Sequence, residues 1–201
     1  MRNAGVWTYQ TVLVGSGAIG NAQQGVSVAL SGDGNTAVIG GCYDNTYKGA
    51  IWIWTRSGTT WTQQGSKLVG SGAVGSLPQQ GFSVSLSTDG NTVAEAGSGD
   101  GPTYDQGAIW VWTRSGSTWT QQGSKIVGSG YLRSQQGSVA LSGNGNTLII
   151  GGYTAGTNNQ GAIWFFTRSG GVWTQQAGPL TGTVSATGQY HLSYAPLRLA
   201  V

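Results

Sequence analysis

The stretch that decides the fold runs from Gln79 to Gly123: QQGFSVSLSTDGNTVAEAGSGDGPTYDQGAIWVWTRSGSTWTQQG. Phe82–Leu86 alternates apolar and small residues, as an inner strand does. Asp89-Gly90 marks a tight turn of the Asp-Gly class, and Val93–Glu95 follows as a second strand. The longer segment Ala96–Gln106 leads into a third strand, Ala108–Thr113. Arg114-Ser115-Gly116 turns the chain once more, into a fourth strand over Trp119–Val127.

The pattern repeats on both sides of this stretch. Gly-Ala-Ile-Trp appears at Gly49–Trp52, Gly107–Trp110 and Gly161–Trp164. Gln-Gln-Gly appears at Gln23–Gly25, Gln79–Gly81 and Gln135–Gly137, and Gly-Asn-Thr at Gly34–Thr36, Gly90–Thr92 and Gly145–Thr147. The Trp of a recurring fourth-strand start falls at Trp7, Trp61, Trp119 and Trp173, at intervals of 54, 58 and 54 residues. Four landmarks that keep one order and nearly one period define a repeat. In the first unit the strands are Val26–Leu30, Ala37–Ile39, Ala50–Thr55 and Trp61–Val69. The third strand puts Trp52 and Trp54 on one face and Ile51 and Ile53 on the other. Both faces are apolar, which predicts a sheet packed between neighbouring sheets. Four sequential antiparallel strands make a propeller blade, and stacked blades bury the Trp and Ile rows. The predicted fold is therefore all-β and propeller-type, with repeats at about 7–60, 61–118 and 119–172 and a partial one at 173–201. The chain opens on a fourth-strand sequence, Val6–Val14, and its last unit degenerates beyond Trp173.

Composition agrees with short strands and tight turns. The 201 residues include 37 Gly and 9 Trp, and only 7% are charged, against about a quarter in average domains. No apolar stripe of helical period is present, and the apolar content argues against disorder. The nine basic residues are scattered around the repeats, with no run to follow a phosphate backbone, so nucleic acid is not an expected partner. Cys42 stands alone, which excludes an intrachain disulfide framework or a Cys-rich zinc site. No run is long and apolar enough to insert in a membrane as a helix, and Met1–Trp7 has no signal-peptide character.

The motifs Gln-Gln-Gly-Phe-Ser-Val-Ser-Leu-Ser, Asp-Gly-Asn-Thr, Gly-Gly and Gly-Ala-Ile-Trp-Val-Trp-Thr-Arg-Ser-Gly resemble the FG-GAP repeat family. The likeness is to its bacterial-type branch, related to the integrin alpha-chain propeller, and it covers about Trp7 to Gln176. The resemblance implies a propeller, usually of seven blades, in secreted or surface proteins that bind proteins or glycans. Three units and a part fall short of that count. A small ring, a shortened product and a half-ring completed by another copy are the readings left open. Many blades of the family carry an Asp-rich calcium loop after the first strand. Here the matching turns hold one carboxylate at most, Asp33 or Asp89, so they are read as plain hairpin turns with no metal or other cofactor.

Antiparallel order puts the long second-to-third and fourth-to-first loops on one end of the blades. These loops vary between units while the opposite turns repeat, and variation on a fixed scaffold is where recognition resides. The candidate ligand-binding residues are Tyr43, Asp44, Tyr47 and Lys48 in the first unit, and Asp100, Tyr104 and Asp105 in the second. Tyr131 and Arg133 lie in the next connection, and Tyr153 and Asn158 in the third unit. Tyr among small polar residues suits a protein or glycan ligand, although solvated connections would have the same composition. Catalytic groups are scarce. The one histidine, His191, lies in the degenerate tail, and Cys42 has no base in its unit. Glu95 stands where the other units have Ile39 and Ile150, a costly place if buried, or a place facing a central channel. The expectation is a non-enzymatic binding or adhesion module, extracellular or surface-exposed. The alternative is a structural piece whose partial propeller is completed by self-association.

Overall fold

A computed structural model describes residues 2–3, 5–102, 106–130, 134–156 and 158–182. A short hairpin of β1 (Arg2–Asn3) and β2 (Val6–Trp7) comes first. Three four-stranded antiparallel sheets follow, each in simple sequential order. The first is β3 (Ser27–Leu30), β4 (Thr36–Gly41), β5 (Ala50–Ser57) and β6 (Thr60–Gln63), with a single helical turn, α1 (Asp44–Tyr47), between β4 and β5. The second is β7 (Ser83–Leu86), β8 (Thr92–Gly97), β9 (Ala108–Ser115) and β10 (Thr118–Gln121). The third is β11 (Gln136–Leu141), β12 (Thr147–Gly152), β13 (Ala162–Ser169) and β14 (Val172–Leu180). Trp173 therefore begins no new blade but completes the third.

The N-terminal segment differs from its sequence reading. Val6–Val14 reads as a fourth strand, but only Val6–Trp7 is extended in a sheet, paired with β1, and Thr8–Val14 lies in no sheet. β6, β10 and β14 each pair with the third strand of their own blade, and among the described residues no such strand stands beside Thr8–Val14.

Each blade has two packing faces. The trailing face of the first blade, with Val38, Ile51 and Ile53, packs against Val84, Leu86, Val93 and Trp112 on the leading face of the second. Ala94, Ile109 and Val111 on the trailing face of the second meet Val139, Leu141, Leu148 and Phe166 of the third. Every fully buried Val or Ile here contributes roughly 1.5–3 kcal/mol.

The recurring motifs are the fasteners of this stack. The second Gln of Gln-Gln-Gly clamps a glycine main chain from both sides. Gln80 Nε2 donates to Gly70 O at 2.8 Å, while Gly70 N donates to Gln80 Oε1. Gln24 holds Gly15 and Gln136 holds Gly128 in the same way. Each clamped segment lies on the indole of Gly-Ala-Ile-Trp: Trp52, Trp110 and Trp164 donate Nε1 to Ser16 O, Ser71 O and Ser129 O at 2.7–2.8 Å. A side chain at Gly15 or Gly70 would put its Cβ about 2 Å from that indole, so only glycine fits. The Arg-Ser-Gly arginines lie over the fourth-strand tryptophans, with Arg56, Arg114 and Arg168 at 5.4, 5.3 and 5.4 Å from the rings of Trp61, Trp119 and Trp173. At the β3–β4 turn Ser31 Oγ and Asn35 N both donate to Asp33 Oδ1, a closed hairpin tip. The Ser31 bond holds the Asp33 carboxyl below its usual range.

Candidate functional site

The loop end of the blades is built around two buried carboxylates. Asp44 accepts Ile19 N–H at 2.7 Å on Oδ1 and the Lys67 ammonium on Oδ2. Asp100 repeats the arrangement one blade on, with Val74 N–H at 2.6 Å and the Lys125 ammonium. Both acids are fully buried. This corrects the expectation that they face a ligand. They tie the loop after the second strand to the incoming connection and to the segment that follows the fourth strand, and their charge is matched inside the protein. In the third blade Ala155 occupies the position of the acid, as Gly161 N donating to Ala155 O mirrors Gly49 N to Asp44 O and Gly107 N to Asp100 O. Pro179 stands six residues after Trp173, where Lys67 and Lys125 stand six after their tryptophans. Acid and base are thus lost together.

On the Asp44 anchor sits an unusual turn. Asn45, Thr46 and Tyr47 have φ of 50, 57 and 66°, so α1 is wound left-handed through three consecutive side-chain-bearing residues. That conformation costs an L-residue roughly 1–2 kcal/mol, and a β-branched Thr accepts it poorly. The neighbouring connection holds it: Asn45 N donates to Ile19 O, Gln79 N to Tyr47 O and Gln80 N to Lys48 O, at 2.9–3.0 Å. The second and third blades place Gly101 and Gly156 after the anchor position, where a positive φ is unstrained, and the third adds Asn158 and Asn159 at φ of 68 and 55°, in a residue type that accepts this region more readily than Thr or Tyr.

The turn presents Tyr47 and Lys48 to solvent. Tyr43, half-buried, packs on Tyr47 with ring centroids 4.6 Å apart. Beside them runs a groove of about 300 Å³ between the first and second blades, lined by Lys48, Val69, Ala73, Gly75, Pro78 and Gln80. Its charged lining group is Lys48. Tyr43, Tyr47 and Lys48 are therefore brought together. Tyr153 and Asn158 are exposed on the matching loop of the third blade, two blades along. Tyr104, Asp105, Tyr131 and Arg133, with His191, lie outside the described residues.

Glu95 faces no open channel. It is fully buried, with Oε1 accepting Trp112 Nε1–H at 2.8 Å. Burial pushes its carboxyl up to about 8, against the smaller opposing pull of the Trp112 bond. Oε2 has no hydrogen-bond partner among the described residues. In the first blade Ile39 takes this place and Trp54 Nε1 has no hydrogen-bond partner among the described residues, and in the third Ile150 takes it while Phe166 replaces the Trp. Among the described residues no group of three His, Cys, Asp or Glu side chains is arranged to hold a metal ion, and no helix is long and apolar enough to cross a membrane.

No family model and no curated protein matches the chain. Solved structures do. A Bacteroides uniformis protein described as a candidate 6-phosphogluconolactonase is 13% identical, with a TM-score of 0.52 over 82% of this chain and 45% of its own. TolB from Acinetobacter baumannii is 14% identical, with a TM-score of 0.41 over 74% of this chain and 31% of its own. An Agrobacterium tumefaciens protein described as a candidate TolB is 16% identical, with a TM-score of 0.44 over 76% and 46%. The chain spans less than half the length of these structures. At such identities the likeness shows the fold alone. The protein is an all-β chain of propeller-type blades.

Proposed function

We propose that the chain is a non-enzymatic, FG-GAP-like propeller module that binds protein or glycan at the loop end of its first two blades, on an extracellular or surface-exposed protein. The observation that carries this reading is the left-handed turn at Asn45–Tyr47. Strained backbone persists where surrounding structure enforces it, and it concentrates at binding sites. Here the Asp44–Lys67 pair and the connection at Gln79–Gln80 enforce it, and its result is the display of Tyr47 and Lys48 beside an interblade groove. A flat aromatic ring, an aliphatic wall at Val69 and Pro78 and one ammonium suit a sugar ring or a short peptide segment that carries an acidic group.

The test is a glycan array and a peptide array, both probed with the whole chain. Spots bound by the unmodified chain should lose signal with Tyr47→Ala and with Lys48→Ala, and keep it with Tyr153→Ala. Signal indifferent to Tyr47 and Lys48, or no signal on either array, would count against the site.

A further inference from the structure

The repeat allows the same residue to be compared in three settings. Val28, Val84 and Val139 are equivalent first-strand residues, as are Leu30, Leu86 and Leu141. Val139 and Leu141 are each 8% exposed, because the second blade covers them. Val28 and Leu30 are 68% and 57% exposed, because among the described residues no blade precedes the first. The opposite end shows the mirror situation. Ile51 and Ile109 on the trailing faces of the first two blades are fully buried, while their equivalent Ile163 is 39% exposed. Leu180, the counterpart of Leu68 and Ile126 by its pairing with Ile163, is 49% exposed.

The polar fasteners are split between the same two faces. At each interior junction a Gln from the preceding blade accepts from the following one. Gln64 Oε1 accepts Trp119 Nε1 at 2.8 Å and Arg114 Nη1 at 3.3 Å, and Gln122 Oε1 accepts Trp173 Nε1 and Arg168 Nη1 at 3.2 and 3.1 Å. The first blade has the donors, Arg56 and Trp61, with no such acceptor among the described residues. The third has the acceptor: Gln176, three residues after Trp173 as Gln64 follows Trp61, is exposed with its Oε1 unused among the described residues.

We propose that a second copy of this chain supplies the missing halves. The trailing face of each chain's third blade packs on the leading face of the other's first blade, so that two chains with three blades each close one six-bladed ring. Val28 and Leu30 would meet the row Ile149, Ile163, Phe165 and Leu180, as Val84 and Leu86 meet Val38, Ile51, Ile53 and Leu68 within the chain. Gln176 of the second copy would accept from Arg56 and Trp61. β14 already fills the outer place of the third blade, so no strand is exchanged. This inference does not rest on the loop site, which lies at the end of the blades and not on their faces.

The experiment is light scattering on three full-length chains over a range of concentrations. One is unmodified, one carries Val28→Glu with Leu30→Glu, and one carries Ile163→Glu with Leu180→Glu. These positions are exposed in the single chain, so circular dichroism should be unchanged. The unmodified chain should approach twice its 20.6 kDa and stop there. Each double variant should remain a monomer. Mixing the two variants should restore a dimer, because the pair keeps one intact junction, and misfolded chains would not do this. Gln176→Ala removes an acceptor at both junctions and should weaken the dimer about a hundredfold with no change in fold, roughly tenfold for the hydrogen bonds to a charged donor lost at each junction. Several results would overturn the proposal. One is an unmodified chain that stays monomeric at every concentration. The others are assembly that continues past two chains, variants that still dimerise, and a mixture that stays monomeric.

Discussion

β3 and β11 are nearly the same strand in different company. Both alternate a Val and a Leu toward the leading face of a blade, and both pair with a Val- or Ile-rich second strand. In β11 those side chains are core, and in β3 they are surface. The difference lies in the neighbour and not in the strand, which is how a one-dimensional stack of repeats behaves: each unit is stabilised largely by the faces it shares. A blade at the end of the stack keeps the sequence of an interior blade and therefore keeps its need for a partner.

Mutations can break that comparison at either end. Val139→Asp buries a carboxylate at an interior junction and should cost about 4 kcal/mol or more in urea unfolding, whereas Val28→Asp in the dissociated chain should stay within about 0.5 kcal/mol. Equal effects would mean that β3 is covered within its own chain. The buried ion pairs offer a second contrast between blades. Asp44→Ala strands the Lys67 ammonium and should cost about 3 kcal/mol, whereas adding Lys67→Pro, which recreates the Ala155 and Pro179 combination of the third blade, should recover part of that loss. A double variant worse than the single would deny that the pair is exchanged as a unit.

Glu95 sharpens the contrast between the second blade and its neighbours through pH. Its folded pKa is raised to about 8 from 4.5, so the folded state keeps a proton that the unfolded state has lost. Stability should then be full below about pH 4.5 and fall by roughly 1.4 kcal/mol per pH unit as pH rises toward 8. Glu95→Gln should flatten that slope, as seen in denaturation midpoints across this range. A slope unchanged by Glu95→Gln would place the titrating group elsewhere. The smallest effect is expected at the left-handed turn. Thr46→Gly should raise stability by about 1 kcal/mol by relieving strain, which a thermal midpoint would register.

The blades were legible because their signals are local and repeated. Trp52 and Trp54 against Ile51 and Ile53 announced a strand buried on both sides, and the turn at Asp33 read as a hairpin tip. The site was less legible. Asp44 in a Tyr- and Asn-rich loop looks like a surface acid, and its partner Lys67 is 23 residues away on the far side of a hairpin. The useful signal was the joint recurrence of Asp and Lys in two units and their joint replacement in the third. Only Asn45 hints at a left-handed turn, and Thr46 and Tyr47 carry no local mark of one, because the anchors that enforce it, at Ile19 and Gln79, come from connections distant in sequence. Gln80 was visible as a repeat landmark, but its role depends on Gly70, in a connection whose outer part varies.

The direct measurement is thiol labelling of Val28→Cys as a function of protein concentration, with Val84→Cys as the covered reference and the native Cys42 buried. If blade faces are shared between chains, Val28→Cys should label quickly when dilute and approach the slow rate of Val84→Cys when concentrated. A Val28→Cys rate that is fast and the same at every concentration would contradict the shared face.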